Sequence, residues 1–146
     1  MGTQANQEMK VVIDTNVVIS ALLHQGTTRQ IFELWRTSKI TPLASQTILD
    51  EYVRVLHYPK FGYEPESIAE ILQENLLPFI SKTVEFKGKL LHRPSDKSDE
   101  LFLRVALAGK AGALVSGDVH LTVLNGRYPF PILPPGEFIS RFFNKA

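Results

Sequence analysis

The stretch Val11-Val12-Ile13-Asp14-Thr15-Asn16-Val17-Val18 decides the fold. Lys10–Ile13 reads as a strand with no polar alternation, so it is expected to be buried on both faces, as strands of parallel sheets are. An acid ends that strand, and a helix-compatible apolar segment follows it. Ala113-Leu114-Val115-Ser116-Gly117-Asp118 repeats the arrangement far downstream. Two buried strands that each end in a carboxylate place their acids at the mouth of a parallel sheet, where open α/β folds hold their ligands. An acid cluster there points to a divalent metal, and a metal there points to phosphate chemistry.

Composition sets outer bounds. The 146 residues suit one domain, which at this size buries roughly 70% of its unfolded surface. The apolar share of 44% and charged share of 21% are those of an ordinary globular protein. Net charge is +1, so no strong overall field attracts nucleic acid or a membrane, and any such contact must come from a local patch. The absence of cysteine excludes disulfides, thiolate zinc sites and cysteine nucleophiles, and fits a cytoplasmic location. No apolar run reaches the roughly 18 residues of a membrane span, and the N-terminus lacks signal-peptide regions. Residues 1–8 read as a loose tail or an expression remnant, leaving residues 9–146 as a single domain.

Strand-like and helix-like segments alternate as in βαβ units. A short helix is expected over Asn16–Leu23. A second runs to about Ser38, with Thr27 and Gln30 at capping-box spacing. Ile40–Ala44 reads as a weaker strand, and Pro42 places it at an exposed edge. Ser45 suits the N-cap of a helix to about His57, and Pro65 the first turn of another to about Phe79. Thr83–Phe86 reads as a strand, Lys87–Ser98 as a charged loop and Asp99–Lys110 as a helix. Ala113–Ser116 and Pro131–Leu133 read as the last strands, before a helix over Gly136–Phe143.

Each acid has a plain reading beside a chemical one. Asp14 suits a helix N-cap as well as a ligand position. Asp118 suits a turn, but its placement after a strand matches that of Asp14. Asp99 suits a helix-opening cap, in competition with Asp96 and Glu100. Glu51 suits a solvated helix position, yet Ile48 and Val55 flank it at i−3 and i+4 and bring it toward the core margin. Asp50 instead has Arg54 at i+4. Crowded carboxylates resist ionising unless a cation shares their site. Mg²⁺ or Mn²⁺ prefers such oxygen ligands, and no nucleophilic side chain is then needed.

Other signals are weaker. His24, His57, His92 and His120 show no metal-ligand spacing and read as structural or surface, with His120 nearest the acids. No phosphate-binding or dinucleotide glycine loop is present. Lys87, Lys89, His92, Arg93 and Lys97 form the best basic cluster. It reads as a solvated loop or, since it leads into Asp99, as a grip on phosphates.

Together, Asp14-Thr15-Asn16-Val17, Glu51 in a helix after a strand, Asp99 opening a later helix and Ser116-Gly117-Asp118 after a strand resemble the PIN-domain nucleases. Val11–Leu22, Ser45–Leu56, Asp96–Ala108 and Leu114–Asp118 are similar to one branch, the VapC-like toxins of toxin–antitoxin systems. The resemblance covers residues 9–140. It implies a three-layer α/β/α fold with a parallel sheet of about five strands, and Mg²⁺- or Mn²⁺-dependent cleavage of RNA. By position it implies that Asp14, Glu51, Asp99 and Asp118 form the acidic, metal-holding cluster. It implies that Asn16 and Ser116 support those acids, Ser116 standing where many relatives have threonine. It further implies a homodimer and an inhibitory antitoxin protein.

Two rival readings remain. A haloacid-dehalogenase-type phosphatase also ends its first strand in a nucleophilic Asp. It wants a second acid two residues later, where this chain has Asn16. A non-catalytic binding module of the PIN fold would have no use for four crowded acids.

Overall fold

Strand β1 (Met9–Ile13) is the centre of the molecule, and Val11, Val12 and Ile13 are fully buried there. In the computed structural model, which describes residues 8–143, it lies in a five-stranded parallel sheet of order β3-β2-β1-β4-β5. The partners are β2 (Ile40–Ala44), β3 (Ser81–Lys82), β4 (Ala113–Val115) and β5 (Ile132–Leu133). Val12 faces Leu43 on one side and Leu114 on the other. Residues 1–7 of the expected tail lie outside the described residues.

The strand order assigns the helices to layers. The chain steps from β1 to β2 to β3 in one direction, then returns past β1 to β4 and β5. Right-handed crossovers therefore place α1 (Thr15–Leu22), α2 (Thr28–Arg36), α3 (Gln46–Leu56) and α4 (Pro65–Asn75) on one face. They place α5 (Glu100–Ala108) on the other, where it packs across β1, β2 and β4. The short α6 (Val119–Thr122) follows β4, and α7 (Pro135–Phe142) closes against α2. This is the expected three-layer α/β/α arrangement. The direction reverses between β1 and β4, and such a switch point opens a crevice at the carboxyl ends of the strands. Among the described residues no helix is long and apolar enough to cross a membrane.

Several local expectations are corrected. The third strand is Ser81–Lys82, not Thr83–Phe86. Its partner β2 ends at Ala44, whose carbonyl accepts from Thr83 N–H, and nothing remains beyond it to pair with. The segment then leaves the sheet, and Phe86 N–H donates to the Arg104 carbonyl instead. Strand β2 is not an edge strand, although β3 pairs only with Leu43 and Ala44. Pro42 lies below that pairing, so its missing N–H costs no rung with β3. Thr27 is helical (φ −60°, ψ −29°) and its side chain makes no cap bond, so the capping box with Gln30 does not form. Helix α4 stops at Asn75, with Pro78 inside the 3-10 turn Leu77–Phe79 that follows. Lys97–Asp99 is a 3-10 turn rather than the start of α5, and α6 was not anticipated.

Trp35 joins two of these helices. It is fully buried, meets Phe32 edge-on with ring centroids 5.4 Å apart, and donates its indole N–H to the Asn75 carbonyl at 2.8 Å. Trp35→Ala is expected to cost about 3–5 kcal/mol in urea unfolding. Circular dichroism is the suitable probe, because Trp35 is the chain's one tryptophan.

Candidate active site

Asp14 stands at the end of β1 and performs the capping role considered for it. Its backbone is extended, and Oδ1 accepts from Val17 N–H at 3.0 Å, capping α1. Oδ2 accepts from the Ser116 hydroxyl at the end of β4. Both side chains are buried, Asp14 at 6% exposure and Ser116 at none. Ser116 Oγ in turn accepts from Asp118 N–H at 3.0 Å. One serine thus connects the two strand-end acids. Asp118, half-buried, caps α6 through Oδ1, which accepts from His120 N–H at 2.9 Å.

Asp99 is different, because it caps nothing. Asp96 is the cap, accepting from Ser98 N–H at 3.0 Å and Ser98 Oγ at 2.8 Å. Asp99 is 8% exposed, and its Oδ2 is the one buried side-chain polar atom without a hydrogen-bond partner among the described residues. Its neighbour is another carboxyl, Asp118, so the two can bond only by sharing a proton. An unpaired buried oxygen is costly and calls for an explanation such as an ion.

Glu51 joins from α3. It is half-buried while Asp50 is exposed, as the flanking apolar residues indicated. Its Oε2 accepts from the Thr15 hydroxyl, and its Oε1 lies 3.7 Å from Arg54. Arg54 therefore pairs with Glu51, while Asp50 accepts from Gln46 at 2.8 Å. Thr15, buried, and Tyr52 were not read from the sequence as site residues. Tyr52 is fully buried and donates its hydroxyl to the Ile13 carbonyl at 2.5 Å. A buried tyrosine needs such a partner, and that need is the one sequence signal that could have flagged it.

Asp14, Asn16, Val17, Thr28, Gly117 and Asp118 line a cleft of about 340 Å³ at the switch point. Asn16 is exposed at its rim. Glu51 and Asp99 are not among the lining residues. Electrostatically the four acids form a row, with Asp14 feeling Asp118 and Glu51, and Asp99 feeling Asp118 and Asp14. Burial raises the Asp14 pKa, against the lowering effect of its bonds from Ser116 and Val17. Burial first, then the Asp118 charge, pushes Asp99 up to about 7. The donors are all hard oxygens, and the unpartnered Oδ2 fits a cation. As they stand, though, no three His, Asp or Glu side chains among the described residues lie close enough to hold one.

Lys87, Lys89, Arg93 and Lys97 are all exposed and make no ion pair among the described residues. Lys97 sits two residues before Asp99, and Lys87 belongs to a separate groove. The histidines serve locally: His24 packs on Phe32, His92 on Tyr128, and His57 Nδ1 lies 2.8 Å from the Val53 carbonyl.

The raised Asp99 pKa has a consequence for stability. Between the unfolded value of 3.8 and about 7, the folded state holds a proton that the unfolded state has lost. Stability from that proton is complete below pH 3.8 and disappears as pH rises through about 7. In chelator, Asp99→Asn is therefore expected to raise Tm at pH 8 and to change it far less at pH 5. Equal shifts at both values in a thermal-melt series would contradict this.

No curated protein matches the chain by sequence. Among solved structures the fold is similar to a chain of the VapBC2 complex from Rickettsia felis bound to a DNA fragment from their promoter. The TM-score is 0.55 at 20% identity, covering 86% of this chain and 97% of that one. A family model described as the PIN domain matches residues 10–120. That match spans both strand-end acids and most of the chain, and the chain belongs to the PIN-domain family.

Proposed function

We propose that this protein is a metal-dependent endoribonuclease, hydrolysing RNA phosphodiester bonds, and the toxin of a toxin–antitoxin pair in the cytoplasm. The observation that carries the reading is the Asp99 Oδ2, buried without a donor and facing Asp118 beside the Asp14 cleft. A structural carboxylate would have found a donor, and a row of acids at a switch point is otherwise a liability.

Asp14, Asp99 and Asp118, with Glu51 at the end of the row, would hold Mg²⁺ or Mn²⁺. A bound cation supplies a hard Lewis acid that activates water and offsets charge on the phosphate. The chain's own residues prepare that chemistry. Ser116 fixes the Asp14 carboxylate and the Asp118 backbone with a single hydroxyl. Thr15 holds Glu51, and Tyr52 secures the strand end that carries Asp14. Asn16, exposed at the rim of the cleft, would meet the substrate there. Lys87, Lys89, Arg93 and Lys97 add positive charge for the RNA backbone. The resemblance to VapC-like toxins and the fold likeness to a VapBC2 chain support an antitoxin partner, and the same resemblance supports a homodimer.

Purified protein on total RNA and tRNA, with Mn²⁺ or chelator, tests the reading. Cleavage is expected only with metal. Asp14→Asn should abolish it with the fold intact, and Ser116→Ala should lower it by roughly 10- to 100-fold, as loss of an outer-shell partner does. Folded protein that neither binds Mn²⁺ nor cuts RNA would favour the non-catalytic binding module.

A further inference from the structure

A second and larger groove, of about 630 Å³, is lined by none of the four acids of the site. Gln46, Thr47, Lys82, Thr83, Glu85 and Lys87 are among the residues that line it. Lys82 ends β3, and Gln46 begins α3 just after β2. All five strands are parallel, so their carboxyl ends share one edge of the sheet. The acid cleft covers the ends of β1 and β4, and this groove covers those of β2 and β3. Two strand spacings separate β3 from β1, about 10 Å. The openings therefore stand side by side, one acidic and one with two lysines against Glu85.

The groove's wall is held firmly. Phe86 N–H donates to the Arg104 carbonyl at 3.0 Å. The Arg104 guanidinium donates back to the carbonyls of Phe86 at 2.9 Å and Gly88 at 2.7 Å. The Phe86 ring folds over Gly88, where an added Cβ would lie 2.5 Å from the ring. Lys87 is thus presented from a turn clamped on both sides by α5. Neither Lys82 nor Lys87 has an acidic partner among the described residues. Of the basic cluster read from the sequence, Lys87 alone lines the groove.

We propose that this groove is the track of the RNA strand beyond the acid cleft, with Lys82 and Lys87 pairing with phosphates flanking the bond to be cut. The proposal rests on the nuclease reading above. It separates two tasks along one edge: the acids take the cation, and the neighbouring lysines take the backbone that the acids would repel.

The test is binding of a short fluorescent single-stranded RNA to the Asp14→Asn protein, by anisotropy across a salt series. Adding Lys82→Ala and Lys87→Ala should weaken binding. It should also make the slope of log K against log salt shallower by about 1.4, since each phosphate contact on a single strand contributes about 0.7. Lys10→Ala with Lys39→Ala removes the same charge at the opposite edge of the sheet and should leave the slope unchanged. An equal slope in both double variants, or no RNA binding by the folded Asp14→Asn protein, overturns the proposal. Cleavage by the wild-type protein with Mn²⁺ is read separately. If RNA is held through Lys82 and Lys87 but never cut, the groove stands and the nuclease reading fails.

Discussion

Everything at the carboxyl edge of the sheet depends on how the Asp14 carboxylate is held. One oxygen receives Val17 N–H and so starts α1. The other receives the Ser116 hydroxyl and so ties β1 to β4 across the switch point. Burial works against the charge while these two bonds support it. Capping and ligation are not exclusive, since two carboxylate oxygens offer about four lone-pair sites. An acid immobilised by structural bonds is well prepared to meet a cation without first losing side-chain freedom.

Around that anchor the fold ties segments 13–15 and 51–52 together twice. Thr15 reaches Glu51, and Tyr52 reaches the Ile13 carbonyl. The two bonds run in opposite directions between the β1–α1 junction and α3, so the acid on the helix cannot drift independently of the acid on the strand. Like-charge repulsion runs along the row, felt most by Asp99. Such unrelieved charge at a crevice is characteristic of functional positions, where local stability is given up for binding.

The distribution of charge matters more than its total. A net charge of +1 would suggest indifference to nucleic acid. Along the sheet edge, however, acids occupy the ends of β1 and β4 while lysines occupy the groove over β2 and β3. A net charge summed over the whole chain therefore conceals local patches of opposite sign on one edge of the sheet.

Much of the framework was legible in the chain itself. Uninterrupted apolar runs announce strands buried on both faces, and an acid directly after such a run must emerge at the sheet edge. Ser45 and Asp96 act as the local caps that their chemistry favours. Other features depend on partners far apart in sequence. Ser116 meets Asp14 across 102 residues and Thr15 meets Glu51 across 36. The third strand stops where β2 runs out of backbone to pair with, and Asp99 lacks a donor because its neighbour in space is another acid. The sequence by itself determined the central strands β1 and β4 and the acid that emerges after each, because burial and capping act within a few residues. Only the tertiary structure decided which of those acids face one another, because long-range pairing leaves no periodic trace in the chain.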